Sequence, residues 1–207
     1  MTIAPHIAQV PAFLSDIVSG AFGLRPGLAG IGGASAIIAL EELVQAGARA
    51  LIRVGSAGAL QHEIALGDLI VVEGAVRSEG ASQAYLPPEY PACADIRLQA
   101  ALLAHLGASG QPHWHGLVRS HDSFYRDDEQ EVCRYWHQRG VLGADMETAS
   151  LLAVGRLRKV RVAAVLCNVV AFEQDVQAGV SDYAASEAAM MVGEQLAIAA
   201  ALHALTQ

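Results

Sequence analysis

Charge and aromatic rings are both scarce in this 207-residue chain: 16% of residues are Asp, Glu, Lys or Arg and 5% are Phe, Trp or Tyr. The 13 basic residues are scattered and the net charge is −8. That balance argues against a nucleic-acid groove or an anionic membrane surface, since both need clustered cations. One or two placed arginines with backbone amides remain enough to hold a small anion. Cysteine is nearly absent, with only Cys93, Cys133 and Cys167. Three widely spaced thiols fit neither a disulfide framework nor a zinc site, and read as inert thiols in a reducing compartment. The apolar runs are short and broken by glycine or charge, so none reads as a membrane span. The start, MTIAPHIAQV, has neither the basic residues nor the apolar stretch of a signal peptide, and a cytoplasmic protein is expected. What is plentiful is apolar residues, at 53%. That suits one α/β domain over residues 1–207 with a substantial core.

Residues 1–29 are interrupted by Pro5, Pro11, Gly20, Gly23, Pro26 and Gly27. They read as a shortened, irregular segment with at most a short helix around Ala12–Val18. From Gly30 the pattern sharpens. A glycine turn leads into a helix over Ala34–Ala46, and Gly47 stands where a helix stop is expected. Strands are expected at Ala50–Val54, Asp68–Val72, Ala75–Arg77, Trp114–Val118 and Arg161–Val170. Helices are expected at Ile96–Leu106, Glu129–Arg139, Asp145–Val154 and Tyr183–Leu205, with Tyr85–Pro91 a loop. This alternation predicts a mixed central sheet flanked by helices.

In such folds ligands gather where strands end and helices begin, and four segments carry polar or glycine residues there. Gly30-Ile31-Gly32-Gly33-Ala34-Ser35 either lets backbone N–H groups approach an anion or is a plain tight turn. In Arg53-Val54-Gly55-Ser56-Ala57-Gly58, a buried arginine must pair with a carboxylate or face an anion. Ser120-His121-Asp122-Ser123-Phe124-Tyr125 offers rings for stacking or for the core. Asp145-Met146-Glu147 opens a helix, where a carboxylate either complements the helix dipole or accepts bonds from sugar hydroxyls. Locally, both readings of each segment stay open.

Taken in order, these segments resemble the nucleoside phosphorylase and uridine phosphorylase superfamily. Gly30–Ser35 followed by Glu41-Glu42-Leu43 resembles its glycine turn and first long helix. Arg53–Gly58 resembles its phosphate segment, Gly67–Val71 the next strand, and Gly140–Ala149 the ribose segment. Gly80-Ala81-Ser82 with Tyr85–Ala92 is closest to the uridine-type branch. The resemblance implies phosphorolysis of a nucleoside to free base and ribose 1-phosphate, with phosphate as co-substrate and no cofactor or metal. It implies Arg53, Ser56 and Gly32 on phosphate, with Ser56 also touching the ribose. It further implies Ala57, Gly58 and Phe124 around the base, Met146 under the ribose and Glu147 on its hydroxyls. Arg53, Glu147 and Asn168 are the implied catalytic set. It also implies a homo-oligomer, often a hexamer built from dimers.

The chain departs from that pattern in three places. The family's Gly-Asp-Pro loop does not occur, and Arg25 is the sole arginine among the 29 residues before Gly30. Asn168 stands where the purine branch has an aspartate; it can donate a hydrogen bond but supplies no proton. The uridine branch reads its base with a glutamine and an arginine after the aromatic segment. Here Asp128 and Gln130 take those places, with Arg126 a candidate substitute. A pyrimidine (uridine-like) or unusual nucleoside is therefore the expected substrate. A hydrolase using water and a weakly catalytic nucleoside- or base-binding protein stand as alternatives.

Overall fold

In the computed structural model, residues 16–20, 24–28, 30–173 and 183–207 are described. Eight strands form one mixed sheet. They are β1 (Asp16–Gly20), β2 (Leu24–Leu28), β3 (Ala50–Ala59), β4 (Leu69–Ser78), β5 (Ala92–Cys93), β6 (His113–His121), β7 (Gly143–Asp145) and β8 (Arg161–Val170). The helices are α1 (Gly33–Gln45), α2 (Ile96–Ser109), α3 (Glu129–His137), α4 (Thr148–Leu157) and α5 (Tyr183–Leu205). The order is β2-β1-β3-β7-β6-β4-β5, and β8 pairs with both β3 and β4. Strands β3, β7, β6, β4 and β8 therefore close into a ring. The α/β class and the mixed sheet agree with the sequence reading.

The strands at the centre of the ring read as unbroken apolar runs because they are covered on both faces. Ala50–Val54 of β3 and Val162–Asn168 of β8 are buried without interruption. Those two strands pair in parallel from Ala50↔Arg161 to Gly58↔Val170. Helix α2 presents the buried stripe Leu98, Leu102 and Leu106, one residue per turn. Helix α5 presents Ala197, Ala200, Ala201 and Ala204, whose small side chains allow close approach. None of the described helices is long and apolar enough to cross a membrane.

Several boundaries differ from the sequence reading. The expected short helix around Ala12–Val18 is a strand over Asp16–Gly20, while residues 12–15 lie outside the described residues. Antiparallel pairing with β3 on one side and β2 on the other supplies β1 with backbone partners, which overrides weak local helix propensity. Arg25 lies in β2, opposite Ser19. The two strand signals in 68–77 are one strand, β4, with a register shift between Val72 and Gly74. The strand expected to end at Val54 continues through Gly55–Gly58 to Ala59 as β3. The helix expected from Asp145 begins at Thr148, because Asp145 ends β7 in register with Ser120 of β6.

Candidate functional site

Arg53 of β3 meets the segment Asp145–Thr148, far from it in sequence. The guanidinium is 2% exposed. Its Nε donates to Asp145 Oδ2 and Thr148 Oγ1, each at 3.2 Å. Its Nη2 donates to Glu147 Oε2 at 2.7 Å and lies 3.2 Å from Asp145 Oδ2. A buried cation is costly, and two carboxylates offset that cost here. Arg53 Nη1, also buried, has no hydrogen-bond partner among the described residues. The guanidinium lies across Gly55, where an added Cβ would sit 2.3 Å from Nη1. Any larger residue there would push the arginine out of place.

Each carboxylate has its own support. Asp145 Oδ1 accepts from Ser120 Oγ at 2.5 Å. Its Oδ2 accepts from Thr148 N at 2.9 Å and Thr148 Oγ1 at 2.5 Å, which fixes the first turn of α4 as a capping carboxylate does. Glu147 Oε1 accepts the Gly32 N–H at 2.6 Å. Gly32 has φ 86°, a left-handed backbone that glycine adopts freely, and it directly precedes α1. Glu147 thus joins the glycine turn, the positive end of α1 and Arg53. Burial pushes its carboxyl above the ordinary range; Arg53 opposes that shift and Asp145 adds to it.

The other expected site residues are placed unevenly. Ser56, Gly58 and Met146 are half-buried, whereas Ala57 is buried. No hydrogen bond joins the Ser56 hydroxyl to the Arg53 cluster among the described residues. Gly32, expected on phosphate, gives its N–H to Glu147. Phe124 is 41% exposed and meets Tyr125 edge-on at 5.0 Å. Asn168 is fully buried. Its Nδ2 donates to the carbonyls of Ala65 at 3.0 Å and Ile64 at 3.4 Å. Both amide hydrogens are thereby committed within the protein, and Asn168 fixes the turn before β4 rather than meeting Arg53. Arg126 is exposed and forms a two-pronged pair with Asp128 at 2.8 and 2.7 Å, which engages the cation expected as a substitute base reader.

Asp145, Thr148 and Ser120 complete the cluster; Asp145 and Ser120 lie in segments that the sequence marks as candidates, but neither they nor Thr148 are expected there as site residues. The available signal was the spacing of Asp145 and Glu147, two carboxylates flanking one methionine near a helix start. Among the described residues no group of three or more His, Cys, Asp or Glu stands together as a metal site. What the cluster offers is a buried cation with one free donor beside a carboxylate, suited to binding an anion next to a polyol.

Comparison with known proteins points the same way. Residues 20–205 match the family model of the phosphorylase superfamily. A uridine phosphorylase from Treponema pallidum is 38% identical over 148 residues, covering 66% of this chain and 57% of that protein. A guanosine phosphorylase from Halorubrum lacusprofundi is 35% identical over 140 residues, covering 68% of this chain and 57% of that protein. The chain thus spans less than two thirds of the length of these curated relatives. The crystal structure of uridine phosphorylase from Vibrio fischeri superposes with a TM-score of 0.81 at 47% identity, covering 91% of this chain and 78% of that one.

Proposed function

The chain belongs to the phosphorylase superfamily, and from that premise we propose that it cleaves the N-glycosidic bond of a pyrimidine, uridine-like nucleoside with phosphate. The observation that carries the proposal is the Arg53 cluster: a buried guanidinium held by Asp145 and Glu147 with Nη1 left free. Free Nη1 and the half-buried Ser56 supply donors for phosphate, with the backbone of the Gly32 turn beside them. Glu147 accepts hydrogen bonds from ribose hydroxyls, and Met146 packs against the sugar. Ala57, Gly58 and Phe124 border the base. Asn168 acts as a positioning residue through the turn it fixes.

In this reaction the C1′–N bond loosens through a cation-like sugar, as in glycoside hydrolysis. A phosphate oxygen forms the new bond to C1′. The electron pair of the broken bond leaves with the base, which takes up a proton. The negative phosphate and the Glu147 carboxylate both favour the positive charge that develops on the sugar. The products are free base and ribose 1-phosphate. The reading carries a cytoplasmic homo-oligomer with phosphate as co-substrate and no further cofactor.

The test is a nucleoside panel with and without phosphate, following free base and the sugar product. Phosphate-dependent release with ribose 1-phosphate is expected for uridine. Base release at the same rate without phosphate, yielding free ribose, would overturn the proposal in favour of hydrolysis.

A further inference from the structure

We infer that Arg119 reads the base at the position where uracil carries a carbonyl oxygen and cytosine an amino group. This deepens the proposed function and rests on its placement of the base beside Gly58. Arg119 of β6 pairs with Ala144 of β7, Ala144 pairs with Gly58 of β3, and Gly58 pairs with Val170 of β8. Directly paired residues share a face of the sheet. Arg119, Ala144, Gly58 and Val170 therefore form one row. The neighbouring Ser120 bonds Asp145, so alternation along the strand puts Arg119 on the opposite face from that pair.

The row has a low floor with a cation at one end. Ala144 and Gly58 are small and half-buried. A Cβ added at Gly58 would meet nothing closer than Val170 Cβ at 3.7 Å. Two residues past Val170, Phe172 stacks on His137 of α3 at 4.6 Å, which puts flat rings near the far end of the row. From Arg119 to Gly58 is two strand spacings, about 10 Å.

Arg119 itself has no structural employment to explain its burial. It is 3% exposed, and its guanidinium makes no hydrogen bond or ion pair with the described residues. Its Nε is buried and unpartnered. Glu129, Asp128, Cys133 and Arg126 act on it only at longer range, and burial pulls its pKa down. A buried charge without a partner is costly, and a ligand that accepts hydrogen bonds removes that cost.

A guanidinium only donates, so it pairs with a carbonyl oxygen, which accepts, and not with an amino group. As the C1′–N electrons pass into an oxo-base, negative charge collects on a carbonyl oxygen, where a fixed cation stabilises it. Arg126, the alternative reader, is already paired with Asp128.

The experiment compares the intact chain with Arg119→Met and Arg119→Lys. Binding of uracil and cytosine is measured by calorimetry, and kcat/KM for uridine and cytidine by base release. The unaltered protein is expected to bind uracil more tightly than cytosine. Arg119→Met should lose about 10- to 100-fold on uracil and uridine and little on cytosine and cytidine, with Arg119→Lys recovering part of the loss. Equal binding of both bases by the unaltered protein overturns the inference, and so does an equal loss on both by Arg119→Met. If Arg119→Met does not fold, the unaltered protein's preference and Arg119→Lys decide. Arg119-dependent uracil binding without phosphate-dependent cleavage removes the phosphorylase reading alone. Phosphorolysis indifferent to Arg119 removes this inference alone.

Discussion

Replacing Glu147 by glutamine keeps the side-chain shape but cannot keep both of its contacts. Gly32 N–H at 2.6 Å and Arg53 Nη2 at 2.7 Å are both donors, and an amide offers one acceptor and one donor group. Whichever way the amide turns, one contact becomes donor against donor. Breaking a buried ion pair by removing one partner costs about 3–5 kcal/mol. Two features reduce that here. Arg53 keeps Asp145 at 3.2 Å, and burial already disfavours the Glu147 charge. The expected cost is about 2 kcal/mol, a Tm loss of about 4–8 °C for a domain of this size. Stability alone does not test the sugar contact, so the assay compares uridine with 2′-deoxyuridine in both proteins. Each charge-assisted hydroxyl bond is worth about 10- to 150-fold. Glu147→Gln should therefore lose more kcat/KM on uridine than on 2′-deoxyuridine, and the ratio between them should move toward one. An unchanged ratio, with equal losses on both nucleosides, would show that Glu147 acts only through Arg53 and touches no 2′-hydroxyl.

Three further outcomes follow from the same structure. Asp145→Ala strips acceptors from Arg53, Thr148 and Ser120 together, so chemical denaturation should show a loss of about 3–5 kcal/mol; a loss under 1 kcal/mol contradicts the cluster. Asn168→Asp sets a carboxylate oxygen against the Ile64 and Ala65 carbonyls, at a cost of about 2–4 kcal/mol. It should lower Tm without bringing purine nucleoside cleavage, and new inosine turnover in that variant would return Asn168 to the leaving base. His121 is held below its ordinary 6.5, by burial first and Arg119 second. The unfolded chain then takes up a proton that the folded chain refuses, so stability falls as pH drops below about 6.5. His121→Gln should flatten that slope between pH 7.5 and 5.5 in thermal melts, and an identical slope in both proteins contradicts the burial argument.

The elements most legible in the sequence are those whose covering is symmetric. Strand β8 reads as a continuous apolar run from Val162 to Cys167 because it is paired on both edges, by β3 and β4, and covered on both faces. Its boundaries, like those of α5, match the sequence reading. Strand β1 was not legible, because its partners are long-range: Ile17 opposes Arg53 across β3 and Gly27 across β2. Nothing local in Asp16–Gly20 encodes that pairing, whereas prolines and glycines around it suggest disruption. The start of α4 is not legible in the sequence for a related reason. Asp145 looks like a helix opener, yet its bond to Ser120 Oγ belongs to the β6–β7 register, and only its contacts to Thr148 belong to the helix.

The same distinction governs the site. Arg53 and Glu147 are legible because each sits in a short motif, while their union spans 94 residues and depends on tertiary packing. Asp145 and Thr148 carry no site signal of their own, because a carboxylate and a hydroxyl near a helix start have an ordinary explanation as caps. The structure shows that explanation to be true and incomplete, since the atom that caps α4, Asp145 Oδ2, also binds Arg53 Nε. One carboxylate therefore couples the start of α4 to the orientation of the guanidinium. An arginine held only by Glu147 would be free to rotate about that single contact and change the direction of Nη1. With Nε fixed by Asp145 and Thr148 and Nη2 by Glu147, the plane of the guanidinium is set, and the direction of its unpartnered nitrogen is set with it. Prepositioning of this kind lets a donor act on developing charge without reorganising during the reaction.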